Sequence, residues 1–171
     1  MTANRLKQIE MVLLDVDGVL TAGEIIYSDS GEQIKIFNVK DGIGIRLLKE
    51  AGIKVGIITG RKADALKHRC DNLGIELLFD GIRDKSKALD DIKAKTGIPF
   101  KAIAFVGDDL PDLPVMKKVG LAVAVGDANE MVKHHAHMTT TAQGGKGAVR
   151  EISEAILKEQ GLWDGIIDRL F

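Results

Sequence analysis

The sequence predicts an α/β fold, in which a parallel sheet is doubly wound by helices and a small β-hairpin follows the first strand. Three observations support this class. Several apolar runs are nearly continuous rather than alternating, which is typical of strands covered on both faces. Segments of helical length, with apolar residues three and four apart, separate these runs. A glycine precedes most of the runs, at the place where a helix ends. Alternation of this kind predicts a parallel sheet between layers of helices.

The first predicted strand is the run "MVLL" from Met11, and it leads into two aspartates separated by one residue. The stretch that follows, residues 21–39, breaks the alternation of strand and helix. Its segments "EIIY" and "QIKIF" flank "SDSGE", whose serine, aspartate and glycine are turn residues, so a hairpin is expected there. The hairpin comes just past the acidic pair, where a small flap over a site would lie.

The later strands are predicted at four apolar runs, within "EAGIKVGIIT", "NLGIELLF", "KTGIPFKAIAFVGD" and "KVGLAVAV". Each run follows a glycine that is expected to cap the preceding helix, namely Gly52, Gly74, Gly97 and Gly120. The helix between the first two runs is indicated by apolar spacing over residues 65–73. Cys70 lies among these apolar positions and is expected to be a core residue.

Length, composition and charge exclude several classes of protein. The 171 residues suit one domain, 1–171, with the 45% hydrophobic and 29% charged content of an ordinary globular protein. A net charge of −1 indicates neither a nucleic-acid nor a membrane partner. No apolar run approaches membrane-spanning length and "MTANRLKQIE" has no signal-peptide core, so a soluble, cytoplasmic protein is expected. The single cysteine agrees with a reducing compartment.

Polar side chains stand at the ends of four successive predicted strands. They are Asp15 and Asp17 after the first, Thr59, Gly60 and Arg61 opening a helix after the second, Lys85 near the next helix start, and Asp108, Asp109 and Asp112 after the fourth. Because ligands bind outside the carboxyl ends of the strands in such sheets, these side chains are expected to converge. Carboxylates suit Mg²⁺, whereas a hydroxyl, helix N-terminal amides and an ammonium suit phosphate. The combination predicts a metal-assisted phosphoryl-transfer site, although each residue alone has an ordinary structural explanation.

The motifs "DVDGVLT", "ITGR", "DK" and "GDDLPD", in this order, resemble the four motifs of the haloacid dehalogenase-like (HAD) phosphatases, over residues 11–150. Within that superfamily the chain is similar to a small capless branch, through "NVKDGIGIRLL", "ITGRKADALKHRC" and "GGKGAVRE". The resemblance implies a Rossmann-like fold, Mg²⁺ as cofactor, and hydrolysis of 3-deoxy-D-manno-octulosonate 8-phosphate in lipopolysaccharide precursor synthesis. The alternative is a phosphatase for a nonulosonate 9-phosphate, from a neighbouring branch that tends to have an acidic residue at the position of Arg61.

The resemblance also implies roles for the residues at the strand ends. Asp15 would be the nucleophile that becomes an aspartyl-phosphate, and Asp17 the general acid and base. The phosphoryl oxygens would be bound by Thr59, Gly60 and Lys85.

The metal site that the resemblance implies uses the same strand ends. Mg²⁺ would be held by Asp15, the backbone carbonyl of Asp17 and Asp108, with Asp109 as a further ligand or as support. Asp112 is expected to order the loop, and a helix cap is the competing interpretation. The dense "HHAH" of residues 134–137 is interpreted as an exposed helix end, because no second group of ligands accompanies it.

Substrate recognition is expected from arginines and from the loop before the first long helix. A small anionic sugar phosphate with its own carboxylate suits forked guanidinium groups. By the resemblance, the substrate-binding residues are Asp17, Asn38, Val39, Lys40, Asp41, Gly42, Arg46, Arg61, Arg69 and Lys85.

Two alternatives stand outside this enzyme class. A non-enzymatic phospho-receiver domain would share the fold, but it accepts phosphate on an aspartate after the third strand, where this chain offers Asp80 and Asp84. The second alternative is a regulatory subunit that has the same fold but no catalytic activity. The chain keeps the complete set of catalytic residue types, which argues against this alternative.

The working unit is expected to be a homo-oligomer, with a homotetramer favoured. The hairpin carries more apolar residues than a free flap needs, and no second domain is predicted to cover the site. The C-terminal tail, residues 161–171, is also too apolar to trail in water. It is expected to lie at an interface, or alternatively to pack on its own chain.

Overall fold

The structure, a computed structural model, describes residues 2–170 and contains a six-stranded parallel sheet flanked by helices. The strands in chain order are β1 Met11–Leu14, β2 Ile26–Tyr27, β3 Gln33–Ile34, β4 Lys54–Ile58, β5 Leu77–Phe79, β6 Ile103–Gly107, β7 Leu121–Ala124 and β8 Met138–Thr139. The helices are α1 Thr2–Leu6, α2 Val39–Glu50, α3 Asp64–Leu73, α4 Lys85–Thr96, α5 Leu113–Met116, α6 Glu130–His135, α7 Ala148–Glu159 and α8 Trp163–Leu170. Two 3₁₀ turns span Phe100–Ala102 and Leu110–Asp112.

The order of the strands in the sheet, β5-β4-β1-β6-β7-β8, places β1 at the centre. On β1, Leu13 pairs with Gly56 of β4 on one side and with Phe105 of β6 on the other. The chain builds the sheet outwards from β1 to β5 and then returns to add β6, β7 and β8 on the opposite side. The strand order therefore reverses between β1 and β6, where ligands bind in doubly wound sheets. The predicted fold class is confirmed.

The central strands are buried on both faces, which explains their continuous apolar sequences. Every residue of β1, β6 and β7 is buried. Helix α7 presents apolar residues three and four apart, including Val149, Ile152 and Ile156, and it packs against α2. A Cβ at Gly44 of α2 would lie 2.9 Å from the Arg150 Cα, so the close packing of these two helices requires a glycine there.

The four glycines predicted as helix caps divide into two groups. Gly74 and Gly97 are left-handed C-caps with φ of 61° and 73°, and Gly52 is left-handed one residue past the C-cap of α2, Ala51. The prediction is wrong for Gly120, which is not left-handed. A side chain there would collide with the backbone of Lys101, so close approach of two segments is the reason for this glycine.

The predicted hairpin is present, with shorter strands than its apolar runs indicate. β2 and β3 have two residues each and pair antiparallel, separate from the main sheet. The Ser28 hydroxyl accepts a hydrogen bond from the Glu32 N–H and lies 2.8 Å from the Ser30 hydroxyl, which stabilises the turn. Large apolar side chains of the hairpin stay exposed: Ile25, Tyr27, Ile34 and Ile36.

Both ends of the described chain form helices that pack on the domain. α1 and β8 are not among the predicted elements, because five and two residues show no reliable periodicity. α8 packs against α7, with Ile166 buried and Trp163 beneath the cations of Arg150 and Lys158. The tail therefore packs on its own chain as far as residue 170, and Phe171 lies outside the described residues. Among residues 2–170, no helix is both long and apolar enough to cross a membrane.

Candidate active site

The carboxyl ends of the central strands surround a pocket of about 300 Å³. It is lined by residues from all four of the strand ends predicted to converge: Asp15, Asp17, Thr59, Gly60, Arg61, Lys85, Asp108, Asp109, Pro111 and Asp112. β1 supplies the first aspartates, β4 the threonine segment, α4 the lysine and β6 the remaining acidic residues. The structure therefore brings together all the residues predicted for catalysis, phosphate binding and metal binding.

Lys85 is the first residue of α4 and places a buried ammonium between two buried carboxylates. Its Nζ donates hydrogen bonds to Asp15 Oδ1 at 2.8 Å and to Asp112 Oδ1 at 2.6 Å. The preceding residue, Asp84, caps the helix by accepting a hydrogen bond from the Ser86 N–H, which fixes the position of Lys85. Burial alone would lower the pKa of Lys85, but the two carboxylates outweigh burial and raise it.

Asp112 has a larger part in the site than the sequence indicates. While Oδ1 accepts from Lys85, Oδ2 accepts a hydrogen bond from the Asp108 N–H at 2.9 Å, so Asp112 orders the loop as expected and also faces the reaction site. A Cβ at Gly107 would lie 2.8 Å from the Asp112 Cγ, so the glycine of the "GDDLPD" motif makes room for this carboxylate.

Three carboxylates converge in the pocket with Lys85 as their shared cation. Oxygens of Asp15, Asp108 and Asp112 lie within 4.8 Å of one another. Burial, and then repulsion from Asp112, raise the pKa of Asp15 to about 6. Burial, and then repulsion from Asp15 and Asp112, raise the pKa of Asp108 to about 8. The cluster carries more negative charge than Lys85 neutralises.

This donor set fits Mg²⁺, which prefers oxygen ligands and carboxylates in particular. Asp15 and Asp108 would hold the ion, as predicted, and Asp112 would support it. Gly18, in the loop after β1, has a φ of 94°, and a side chain there would collide with the Asp108 carboxylate. The loop therefore passes directly over Asp108. Asp109 is exposed and lies at the pocket rim, outside the group of three converging carboxylates.

Metal binding should change how stability depends on pH. The pKa values of Asp15 and Asp108 are raised, to about 6 and about 8, so the metal-free folded state holds protons that the unfolded chain has already lost. We therefore expect metal-free stability to fall as the pH rises from about 4 to about 8, because folding then forces these carboxylates to ionise together. Thermal unfolding with EDTA or Mg²⁺ tests this: stabilisation by Mg²⁺ should grow across the same range, and equal stabilisation at both ends would contradict it.

Asp17 lies between two cations at the mouth of the pocket. Its Oδ1 accepts a hydrogen bond from Lys35 Nζ, and its Oδ2 lies 3.8 Å from Arg61 Nε. Lys35 belongs to the hairpin and is absent from the predicted site residues. A signal for it exists in "QIKIF", because alternation in a short strand points Lys35 away from the side of Ile34 and Ile36.

Thr59 is buried at the end of β4, with its hydroxyl facing the loop that follows. It accepts a weak hydrogen bond from the Arg61 N–H at 3.5 Å. The expectation that Thr59, Gly60 and Arg61 open a helix is wrong, since α3 begins at Asp64. Residues of a loop, rather than a helix N-terminus, therefore line the pocket on this side.

The loop residues predicted to bind substrate do not line this pocket. Asn38 caps α2 by accepting a hydrogen bond from the Lys40 N–H, and its amide donates to the Gly145 carbonyl. Asp41 is buried and accepts hydrogen bonds from the Gly147 and Arg150 N–H groups at the start of α7. Within this chain Asp41 therefore stabilises a helix end, and its part in substrate binding stays a prediction.

Of the other predicted recognition residues, Arg69 contacts the segment that precedes α2. Arg69 donates to the Asn38 carbonyl at 3.3 Å and lies over the Phe37 ring. A Cβ at Gly42 would collide with the Arg69 guanidinium, so these two positions are in contact. Val39, Lys40 and Arg46 are exposed. Arg61 and Lys85, with Asp17, are the predicted substrate-binding residues that do line the pocket.

The remaining residues of interest have ordinary roles. His134 and His135 lie in the last turn of α6, as expected, whereas His137 lies past the helix and accepts a hydrogen bond from the Ala122 N–H through Nδ1. Cys70 is buried, and burial raises the pKa of its thiol to about 11, which agrees with the predicted core position.

Comparison with known proteins supports the chemistry of this pocket. Residues 81–152 match the family model of haloacid dehalogenase-like hydrolases. The chain is 47% identical over 158 residues to the 3-deoxy-D-manno-octulosonate 8-phosphate phosphatase KdsC of Escherichia coli K12, covering 92% of this chain and 84% of the relative. The crystal structure of the phosphatase of that name from Yersinia pestis matches with a TM-score of 0.94 at 44% identity, covering 95% of this chain and 88% of the other.

A further solved relative carries ligands. The phosphatase of the same name from Moraxella catarrhalis, solved with magnesium, phosphate and KDO, matches with a TM-score of 0.96 at 39% identity, covering 99% of this chain and 97% of the other. The fold, the carboxylate pocket and these similarities agree: the chain belongs to the haloacid dehalogenase-like hydrolases, in the family of the 3-deoxy-D-manno-octulosonate 8-phosphate phosphatases.

Proposed function

We propose that the chain is a Mg²⁺-dependent phosphatase that hydrolyses 3-deoxy-D-manno-octulosonate 8-phosphate to the free sugar acid and phosphate, in lipopolysaccharide precursor synthesis. The observation that carries this proposal is the pocket in which Lys85 holds Asp15 beside two further carboxylates, with Asp17 at its mouth. The names of the relatives support the choice of substrate. Cytoplasmic action stays a prediction.

The geometry supports a two-step reaction. A carboxylate oxygen of Asp15 attacks phosphorus, and the bond from phosphorus to the sugar oxygen breaks. The leaving oxygen takes a proton from Asp17, which then removes a proton from the water that hydrolyses the aspartyl-phosphate and releases phosphate. Lys85 keeps Asp15 in place and, with Thr59 and Gly60, binds the phosphoryl oxygens. Bound Mg²⁺ supplies positive charge that neutralises the transferring phosphoryl group.

Two other functions are less well supported. A phospho-receiver domain needs a phosphate-accepting aspartate after the third strand of the central sheet in chain order, β5. Asp84 in that region is used as the N-cap of α4, and the acidic pair instead follows β1. A nonulosonate 9-phosphate phosphatase is opposed by Arg61, which stands at the pocket where the neighbouring branch tends to have an acidic residue.

The substrate proposal predicts a preference that kinetics can measure. We expect kcat/KM for the eight-carbon sugar acid phosphate to exceed that for a nine-carbon analogue by about tenfold or more, which is about 1.4 kcal/mol of transition-state preference. Phosphate release with both compounds, with and without EDTA, tests it. A tenfold preference for the nine-carbon compound would overturn the choice of substrate, and activity that survives EDTA would overturn the metal requirement.

The homotetramer stays part of this proposal, with hairpins pairing between subunits. The exposed apolar residues of the hairpin support it, since Tyr27 and Ile36 are 61% and 67% exposed. The recognition residues outside the pocket also support it. Val39, Lys40 and Arg46 are exposed on this chain, and they are available to complete the site of a neighbouring subunit.

A charged hairpin should therefore dissociate the assembly. Ile36→Asp places a carboxylate in the proposed contact, so we expect light scattering to show a smaller species and KM for the sugar phosphate to rise. Glu32→Gln, at the exposed turn, is the matched control and should leave the mass unchanged. A monomer near 18.5 kDa for the unaltered chain at working concentration would end the oligomer hypothesis.

A further inference from the structure

Lys35 is a charged residue of the hairpin that turns towards the active site. Its side chain is 2% exposed, whereas its neighbours Ile34 and Ile36 are 46% and 67% exposed. The alternation of the strand therefore continues past β3 and directs the lysine inwards while the isoleucines face outwards. An ammonium this deeply buried is costly unless it is paired. Its partner is Asp17, through a hydrogen bond from Nζ to Oδ1.

The contact distinguishes the two oxygens of the Asp17 carboxylate. Oδ1 accepts a hydrogen bond from Lys35. Oδ2 lies 3.8 Å from Arg61 Nε, and Asp17 and Arg61 both line the pocket. The Arg61 side chain is half exposed, so it constrains Asp17 less than the buried lysine does. An acid must lie within hydrogen-bond reach of the oxygen that it protonates, so the orientation of this carboxylate decides whether Asp17 can act.

We propose that Lys35 is a positioning residue that holds Asp17 by Oδ1 and presents Oδ2 to the leaving-group oxygen of the substrate. This inference rests on the phosphatase function proposed above. The lysine acts through Asp17 and does not need to touch the phosphoryl group, whose own lysine is Lys85. Lys35 follows β3 directly, so it is a side chain of the hairpin that makes this contact with the acid.

The test uses two substrates that differ in their need for an acid. The sugar phosphate releases an alkoxide, which needs a proton from Asp17, whereas p-nitrophenyl phosphate releases a nitrophenolate, which does not. The kcat/KM value reports the steps up to formation of the aspartyl-phosphate, so it isolates the leaving-group step from later hydrolysis. For Lys35→Met we expect kcat/KM on the sugar phosphate to fall by about 10²-fold, the cost of a misplaced catalytic group, with little change on p-nitrophenyl phosphate.

Conservative variants and a hairpin control separate positioning from other roles. Lys35→Arg keeps the charge and should restore most of the activity, and Lys35→Gln keeps a donor and should be intermediate. Gln and Arg also provide the test if the Met variant does not fold by circular dichroism. Ser28→Ala weakens the hairpin turn without touching Asp17, and it should keep the wild-type ratio of the two kcat/KM values.

Several results would overturn the inference. Equal losses on both substrates would make Lys35 a ligand of the phosphoryl group, and a change confined to KM for the sugar phosphate would make it a ligand of the sugar. The same selective loss in Ser28→Ala would attribute the effect to hairpin mobility. Failure of the unaltered chain on both substrates would instead refute the phosphatase function itself, so the two failures are distinguishable.

Discussion

Asp15→Asn is expected to lower turnover by about 10⁴-fold or more, because the amide that replaces the carboxylate is a far poorer nucleophile. The change should leave the fold intact. The amide oxygen of the new side chain can still accept a hydrogen bond from Lys85. The loss of one charge removes the cost of burying that charge and its repulsion from Asp112, the two effects that raise the pKa of Asp15 to about 6. Phosphate release from the sugar phosphate measures the activity, and thermal unfolding measures the stability.

A matched control for this variant is Asp71→Asn, which makes the same chemical change at an exposed position of α3. It should keep wild-type activity. Trapping of a phosphorylated chain by rapid acid quenching should succeed with the wild type and fail with Asp15→Asn. Full activity of Asp15→Asn would exclude Asp15 as the nucleophile, and a trapped phosphoryl group on that variant would place the reaction elsewhere.

Lys85→Met is expected to impair both stability and activity. The variant leaves Asp15 and Asp112 buried without their cation, and breaking a buried pair in this way costs about 3–5 kcal/mol of the free energy of unfolding. For a chain of this length we expect the melting temperature of the metal-free protein to fall by about 10 °C. Mg²⁺ should recover part of the stability by supplying positive charge, but not the activity, because a ligand of the phosphoryl oxygens is lost.

Two comparisons make this prediction specific. Lys87→Met removes an exposed lysine two residues further along α4, with its side chain 82% exposed, and should change stability by no more than about 0.5 kcal/mol. Adding Asp112→Asn to Lys85→Met should recover part of the stability, because one uncompensated charge is removed. A metal-free Lys85→Met variant as stable as the wild type would contradict the electrostatic account of the pocket.

Local sequence patterns determined the framework of the site. The continuous apolar runs correctly locate β4, β6 and β7. A strand that is buried on both faces has consecutive apolar residues, and this pattern is visible in the sequence of the strand itself. Once parallel strands are predicted, their carboxyl ends must lie on one edge. Asp15, Lys85 and Asp108 therefore converge as a consequence of topology, and the sequence suffices to predict it.

Close packing between distant segments escapes such patterns. Gly120 looks like a helix cap in the sequence, but it is required because Lys101 passes close to it. The family resemblance assigns Asp41 only to substrate binding, and its hydrogen bonds with the start of α7, more than one hundred residues later in the chain, leave no signal in the sequence. Periodicity describes the surroundings of a residue within its own element, and it contains no information about the element that packs opposite.

The same distinction applies to the charges of the active site. The sequence alone determined which charged residues stand at the strand ends, whereas only the tertiary structure decided how they pair. Lys85 bridges Asp15 and Asp112, which lie 70 and 27 residues away, and Lys35 reaches Asp17 across 18 residues. The physical reason is that a buried charge requires a partner within about 3 Å. Which partner lies within that distance depends on the path of the hairpin and on the position of α4 against β1, neither of which is determined by neighbouring residues.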